Sequence, residues 1–419
     1  MPTPNAKRQT PNDQTDSHPL APSTSPLAPL LRGIDRLETE AELVAKLEKS
    51  QNTGKPLRVK LGIDPTGPEI HIGFAVPLRL LRRFQDAGHL AVLIIGDFTG
   101  SIGDPSGRSK TRPQLTDEQI QANMERYKEQ LFRILDPEKC EFRYNSEWSK
   151  PMGGVEIIKL ASKYTVARLI EREDFKNRLQ TGVPIHMHEL LYPLFQGYDS
   201  VAVKADVELG GADQYWNLLV GRELQREFGQ EPQVVMTMPL LVGLDGVQKM
   251  SKSYGNYVGI TEAPREMFGK LMSIPDSLIL NYFELCTDRP ETAVAAVRQQ
   301  LASGANPRDI KVALAKDVIA LYHSSAAADE AAAEFDRIFR DKQVPDEMPE
   351  FKVPAAGINI IDLVVTAGLL PSKTEARRKL VEGAFYLDNQ RLSDAALLVK
   401  VTAPAVLKFG KRRFLRLIP

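Results

Sequence analysis

Cysteine is almost absent. Cys140 and Cys286 are the two in 419 residues. They leave no disulfide framework and no CxxC metal motif, and a reduced, cytoplasmic setting is expected. No window approaches 18 uncharged apolar residues, so no membrane-spanning helix is expected. A composition of 42% hydrophobic and 26% charged residues excludes a collagen-like, coiled-coil or mostly disordered chain. Catalytic Ser/His/Asp and Cys/His arrangements are missing as well. GDPSGRS (103–109) is no Walker loop, because no glycine lies five residues before a GK[ST], which argues against a P-loop kinase.

What is present is a chain longer than one core usually organises, so two or three domains are expected. Its net charge of zero is uneven. Phe351–Pro419 holds twelve Lys and Arg against five Asp and Glu, a net of +7, which leaves −7 on the first 350 residues. A basic end on an acidic body suggests a polyanionic partner for that end.

Residues 1–32 are rich in Pro, Ser, Thr and Asn, lack the apolar core of a secretory signal, and read as a disordered extension. From Leu57 the pattern turns α/β. LRVKLGI (57–63) is a strand, AVPLRLLRRFQDAG (75–88) an amphipathic helix, and LAVLIIGDF (90–98) a strand buried on both faces, together a βαβ unit. A helix is expected around DEQIQANMERYKEQLFRIL (117–135), and a further strand in PQVVMTMPLL (232–241). Residues 262 to about 340 look helical throughout. Residues 341–354 have the proline and charge content of a linker, and the last 65 mix two helices with short strands.

Two segments carry chemistry. GIDPTGPEIHIGF (62–74) sits at the strand-to-helix turn, with His71 where the helix begins. Free N–H groups and the helix dipole make such a turn a natural phosphate site, although an ordinary Gly/Pro-rich loop reads similarly. KMSKS (249–253) lies in a glycine-flanked loop after a strand. Its lysines at i and i+3 can grip phosphate oxygens and close over a polyphosphate. Alone it reads equally as a solvated basic loop. Its position some 175 residues behind an HIG turn makes coincidence improbable. Tyr192, Gln196 and Asp199 fall at i, i+4 and i+7 of one helix face and can converge on a small ligand. His186-Met187-His188-Glu189 resembles a metal cluster, but it has no further ligands nearby. On a helix the two histidines would point to different faces, so a structural or surface role is expected and no protein metal site.

These segments resemble the class I aminoacyl-tRNA synthetases, whose signatures are HIGH and KMSKS. GDPSGRS, YPLFQGYDS (192–200), ELGGADQ (208–214) and GLDGVQKMSKS (243–253) narrow the resemblance to bacterial-type tyrosyl-tRNA synthetases, from about Leu57 to the C-terminus. A tryptophanyl enzyme and an inactive RNA-binding paralogue are the alternatives. The resemblance implies a tyrosine–tRNA ligase that joins the tyrosine carboxylate to the α-phosphate of ATP and passes the acyl group to tRNA(Tyr). Such a reaction needs positioning and charge neutralisation more than a protein nucleophile. It further implies catalytic roles for His71, Lys249 and Lys252, and ATP binding by Gly73, Asp213, Lys249, Ser251 and Lys252. Asp104, Tyr192 and Gln196 would hold the α-amino group, Asp199 the phenol O–H, and Gln214 the carboxylate end. Magnesium would arrive with ATP. The tail, 358–392, resembles a small RNA-binding domain shared with a ribosomal protein. Ser372, Lys373, Arg377, Arg378 and Lys379 would form a basic helix face, and Lys411, Arg412 and Arg413 would add to it.

The implied fold is a Rossmann-like parallel sheet over 33–260 with a dimerisation insertion around 130–190. A helical anticodon-region domain would span 261–345, a linker 346–353 and the small α+β RNA-binding domain 354–419. A cytoplasmic homodimer is expected. Two departures stand out: Phe74 replaces the second histidine of HIGH, and Lys60-Leu61 replace a Tyr-Cys pair. Losing one hydrogen bond to a charged group costs about 1.5–3 kcal/mol, so an active but slower enzyme is expected.

Overall fold

The computed structural model describes residues 27–63, 69–104, 126–339, 348–410 and 413–419. Residues 1–26, most of GDPSGRS, the first part of the 117–135 helix, Lys411 and Arg412 lie outside the described residues.

A six-stranded sheet forms the centre. Its strands are β1 (Arg36–Glu38), β2 (Arg58–Ile63), β3 (Leu90–Ile95), β4 (Cys140–Tyr144), β5 (Val207–Gly211) and β6 (Val234–Met238), in the spatial order β1-β6-β5-β2-β3-β4. β2 to β6 pair in parallel, and β1 adds an antiparallel edge on β6. β3 is an unbroken apolar run and β6 is buried along its whole length, because helices cover both faces of the sheet. The chain runs from β2 outward through β3 and β4, then returns to place β5 on the other side of β2. That reversal opens a crevice at the carboxyl ends of β2 and β5, where ligands bind in open α/β sheets. Helices α1 (Ile72–Asp86), α2 (Met187–Val203) and α3 (Tyr215–Glu227) surround it. α2 and α3 touch closely at paired glycines. A Cβ on Gly197 would sit 3.1 Å from the Gly221 nitrogen and 2.9 Å from Leu224 Cδ1.

Several boundaries differ from expectation. Within the expected extension, Ala28–Leu31 is helical and Leu30 is buried, because the apolar run at residues 27–31 packs against the main core. The helices at 264–339 are present, but their core is continuous with that of the sheet, running from Leu30 through Leu93 and Phe283 to Ala331. They form no separately cored unit. The expected insertion contains β4, the outer strand of the sheet. The short helices Gly154–Ala161, Val166–Ile170 and Glu173–Gln180 follow that strand. The tail has its own core and a five-stranded sheet. That sheet includes Glu350–Lys352, which pairs in parallel with Arg413–Ile418, while Val353 is buried in the tail core. The expected linker at 346–353 therefore contains a strand of the tail.

Candidate active site

The crevice at the β2/β5 reversal is a cavity of about 500 Å³. His71, Gly73, Asp104, Tyr192, Gln196, Asp199, Asp213, Gln214, Lys249, Ser251 and Lys252 all line it. The body residues given a substrate role from the sequence thus face one space, from segments up to 181 residues apart.

One end is lined by a helix N-terminus and the lysines of the KMSKS loop. His71 caps α1 in extended conformation, and its Nδ1 accepts the Phe74 N–H at 3.2 Å. Burial, with the Lys252 charge adding to it, pushes its pKa down to about 4, so the ring is neutral and carries its proton on Nε2. Gly73 follows in the first turn. A Cβ there would press to 3.2 Å on both His71 Nδ1 and Met250 Cβ, so glycine keeps the helix N-terminus open. Across the cavity, the KMSKS loop is anchored by Met250, which is buried and whose N–H donates to the Leu241 carbonyl at 2.7 Å. Asn256 ties the loop further, accepting the Ser251 N–H at 2.8 Å and donating to Asp245 Oδ2 at 2.7 Å. From this frame Lys249 reaches Asp213 Oδ2 at 2.9 Å. Lys252 donates to the Glu69 carbonyl at 2.9 Å. The Ser251 hydroxyl accepts the Ser253 N–H at 3.3 Å, capping the turn that carries Lys252.

The other end is tipped by a carboxylate. Asp199 is 3% exposed. The Trp148 indole N–H donates to its Oδ1 at 2.8 Å and the Asn145 amide to its Oδ2 at 3.3 Å. Burial pushes its pKa up to about 7, while the Lys60 charge pulls in the opposite direction. Between the two ends, Gln214 donates to Asp104 Oδ2 at 3.0 Å, and its Oε1 accepts from Asn217 at 3.0 Å and Gln196 at 3.5 Å. Tyr192 is buried one turn before Gln196 on α2. Sequence reading missed Asn145 and Trp148, which approach Asp199 from beyond β4, and Tyr127, whose ring lies beneath Lys252. In the sequence Lys60 stands out only as a departure from the family pattern. No local pattern marks any of these as partners.

Two expectations change on the structure. His186 and His188 do not point to different faces: their rings stack with centroids 5.7 Å apart. The reason is that His186 is the cap residue of α2 and lies outside the helical repeat. Glu189 is taken up by Arg178 and by the His186 N–H at 3.0 Å, so the cluster serves the helix start. In the tail, the basic residues of Lys373–Val381 wrap around their helix rather than forming one face. Lys373 pairs with Asp362 at 2.7 Å, Lys379 with Glu382 at 2.6 Å, and Arg378 lies 3.7 Å from Glu375. Ser372 caps this helix and Arg377 is exposed. Arg413 shares a groove with Lys379 and donates to the Leu369 carbonyl at 2.8 Å.

Known proteins match along most of the chain. Residues 51–340 match the family described as tRNA synthetases class I (W and Y), and residues 341–415 the tyrosine--tRNA ligase SYY-like C-terminal domain. A tyrosine--tRNA ligase of Moorella thermoacetica is 55% identical, covering 93% of this chain and 94% of the relative. One from Cupriavidus pinatubonensis is 54% identical, covering 95% and 96%. Among solved structures, a C-terminally truncated mitochondrial tyrosyl-tRNA synthetase of Aspergillus nidulans superposes with a TM-score of 0.61 at 20% identity, over 75% of this chain and 93% of that one. The Archaeoglobus fulgidus tyrosyl-tRNA synthetase complexed with L-tyrosine gives 0.59 at 24% identity, over 73% and 98%. At such identities the superpositions speak for the fold alone. By both domain matches and by identity over nearly its whole length, the chain belongs to the class I tyrosyl-tRNA synthetase family of bacterial type.

Proposed function

We propose that this cavity activates L-tyrosine with ATP and that the chain then charges tRNA(Tyr), as a tyrosine–tRNA ligase. The observation that carries the reading is the union, in one space, of a carboxylate-tipped end and a lysine- and helix-terminus-lined end. Tyrosine fits with its phenol O–H donating to Asp199 and its ammonium among Tyr192, Gln196 and Asp104. Its carboxylate then lies near Gln214, facing the phosphate end. A carboxylate oxygen attacks the α-phosphorus, the bond to the bridging oxygen breaks, and pyrophosphate departs with the electron pair. Lys249 and Lys252 neutralise that departing charge, while neutral His71 offers Nε2–H to a phosphate oxygen and Asp213 serves the ribose. Magnesium enters as part of the ATP substrate complex. In the second step the terminal ribose hydroxyl of tRNA attacks the tyrosyl carbonyl, and AMP leaves.

The +7 tail is the tRNA-binding element, with Lys373, Arg377, Arg378, Lys379 and Arg413 contributing positive charge and Lys411 and Arg412 adding to it. A second copy of the chain packs on the helices after β4, where Val155, Ile158, Val166, Leu179 and Met187 are 54–72% exposed. With tRNA and ATP as its partners, the enzyme works in the cytoplasm. Amino-acid-dependent ATP–pyrophosphate exchange tests the function. Tyrosine should support exchange and tryptophan should not; a chain that responds to tryptophan, or to neither, overturns it.

A further inference from the structure

Lys60 sits in β2 with no exposure at all, one residue before Leu61, which lines the cavity. Its ammonium spends all three donors. It meets Glu208 Oε1 at 2.8 Å, the Ser200 hydroxyl at 2.8 Å and the Gln196 carbonyl at 3.2 Å. Gln196 and Ser200 bracket Asp199 on one turn of α2. Glu208, 1% exposed, accepts from Ser200 at 2.9 Å and from the Gln233 amide. Room for this network is built into α3: a Cβ on Gly221 would stand 2.8 Å from Gln233 Nε2 and 2.9 Å from Ser200 Oγ.

A buried ion pair is weak as a stabilising device, since well-packed apolar residues of similar volume serve as well or better. Its place behind the turn that carries both Gln196 and Asp199 gives it another use. We propose that Lys60 is a positioning and specificity residue for tyrosine: its buried ammonium grips the Gln196–Ser200 turn and holds Asp199 as an ionised acceptor for the phenol. This rests on the reading of Asp199 as the phenol acceptor.

Among the described residues, the charged groups acting on Asp199 are Lys60 from β2 and Glu208 from β5. Trp148 and Asn145, beyond β4, are neutral donors. Lys60 favours the ionised carboxylate, and its effect exceeds the opposing one of Glu208. Removing both charges together therefore disfavours ionisation, while leaving no unpaired charge in the core.

The test is the double variant Lys60→Met/Glu208→Gln, assayed by tyrosine-dependent exchange from pH 5.5 to 8.5. Its KM for tyrosine at pH 7 should rise roughly tenfold with the KM for ATP unchanged. The acid limb of kcat/KM for tyrosine should move up by about one pH unit, and the preference for tyrosine over phenylalanine should fall. A merely structural role would move neither the limb nor the preference. Should a thermal melt show that this variant does not fold, Lys60→Gln/Glu208→Gln carries the same comparison. A folded variant with the wild-type limb and preference, beside an Asp199→Ala enzyme that has lost discrimination, overturns the role of Lys60 and leaves the pocket reading standing. If Asp199→Ala itself keeps discrimination, the pocket reading fails and the Lys60 proposal fails with it.

Discussion

Lys252 Nζ lies 5.7 Å above the centroid of the Tyr127 ring, and Phe74 meets the same ring edge-on at 6.4 Å. The residue that replaces the second histidine of the HIGH signature thus supports a KMSKS lysine through one intervening aromatic. Phe74 is half-buried and packs against the main core. The replacement exchanges a polar contact for a packed one, which explains how this turn can remain functional.

Phe74→Ala should accordingly slow adenylate formation by about two- to tenfold, the value of one aromatic contact of about 0.5–1.5 kcal/mol. Phe74→His should keep or raise the rate, since an imidazole can both meet Tyr127 and face phosphate. Single-turnover adenylate formation measures both. A rate for Phe74→Ala equal to wild type would remove the aromatic link.

Lys252→Ala should lower the single-turnover rate roughly 10²–10³-fold while leaving tyrosine affinity within about twofold, because the charge matters most as pyrophosphate leaves. Equilibrium binding of tyrosine, measured beside the rate, separates the two effects. A loss of affinity with the rate preserved would contradict the role.

The Asp199 carboxyl, pushed up to about 7 by burial, holds a proton below neutrality. A protonated carboxyl is a poor acceptor for a phenol, so the KM for tyrosine should fall as pH rises through 7, whereas that for phenylalanine should stay flat. His71, pushed down to about 4, is neutral across this range and adds no limb of its own. The linkage to folding has the opposite sense. The folded state holds a proton that the unfolded chain has lost between about pH 4 and 7, so this group lowers stability as pH rises through that window. A tyrosine KM independent of pH from 6 to 8 would contradict the ionisation argument.

The tail should be separable in function. The sheet partner of Arg413–Ile418 begins at Glu350, so the cut belongs before that strand. Deleting residues 341–419 should leave tyrosine-dependent exchange nearly intact and lower tRNA charging by orders of magnitude. In the full-length enzyme, charging should be the more salt-sensitive activity. Full charging by the truncated chain would show that tRNA is held elsewhere.

Legibility in the sequence followed the range of the interaction. β3 and α2 could be read because their patterns are local: an unbroken apolar run, and polar groups at Tyr192, Gln196 and Asp199 on one face. Leu30 and Glu350–Lys352 read locally as extension and linker, since segments this short acquire structure only from partners. Those partners lie in the main core for Leu30 and more than 60 residues downstream for the strand. The residues that hold Asp199 were hidden for the same reason. Asn145, Trp148, Lys60 and Glu208 reach it from three other segments, and their types are ordinary in those positions.

We propose that one buried carboxylate at the end of the cavity reads the tyrosine phenol. Exchange assays with tyrosine and phenylalanine on wild type and Asp199→Ala test it most directly. Enzymes of this family reject phenylalanine by about 10⁵ without editing. Wild type should strongly prefer tyrosine, and Asp199→Ala should lose most of that preference through kcat/KM for tyrosine. An Asp199→Ala enzyme that still rejects phenylalanine as wild type does would contradict it, and the phenol acceptor would have to be another residue.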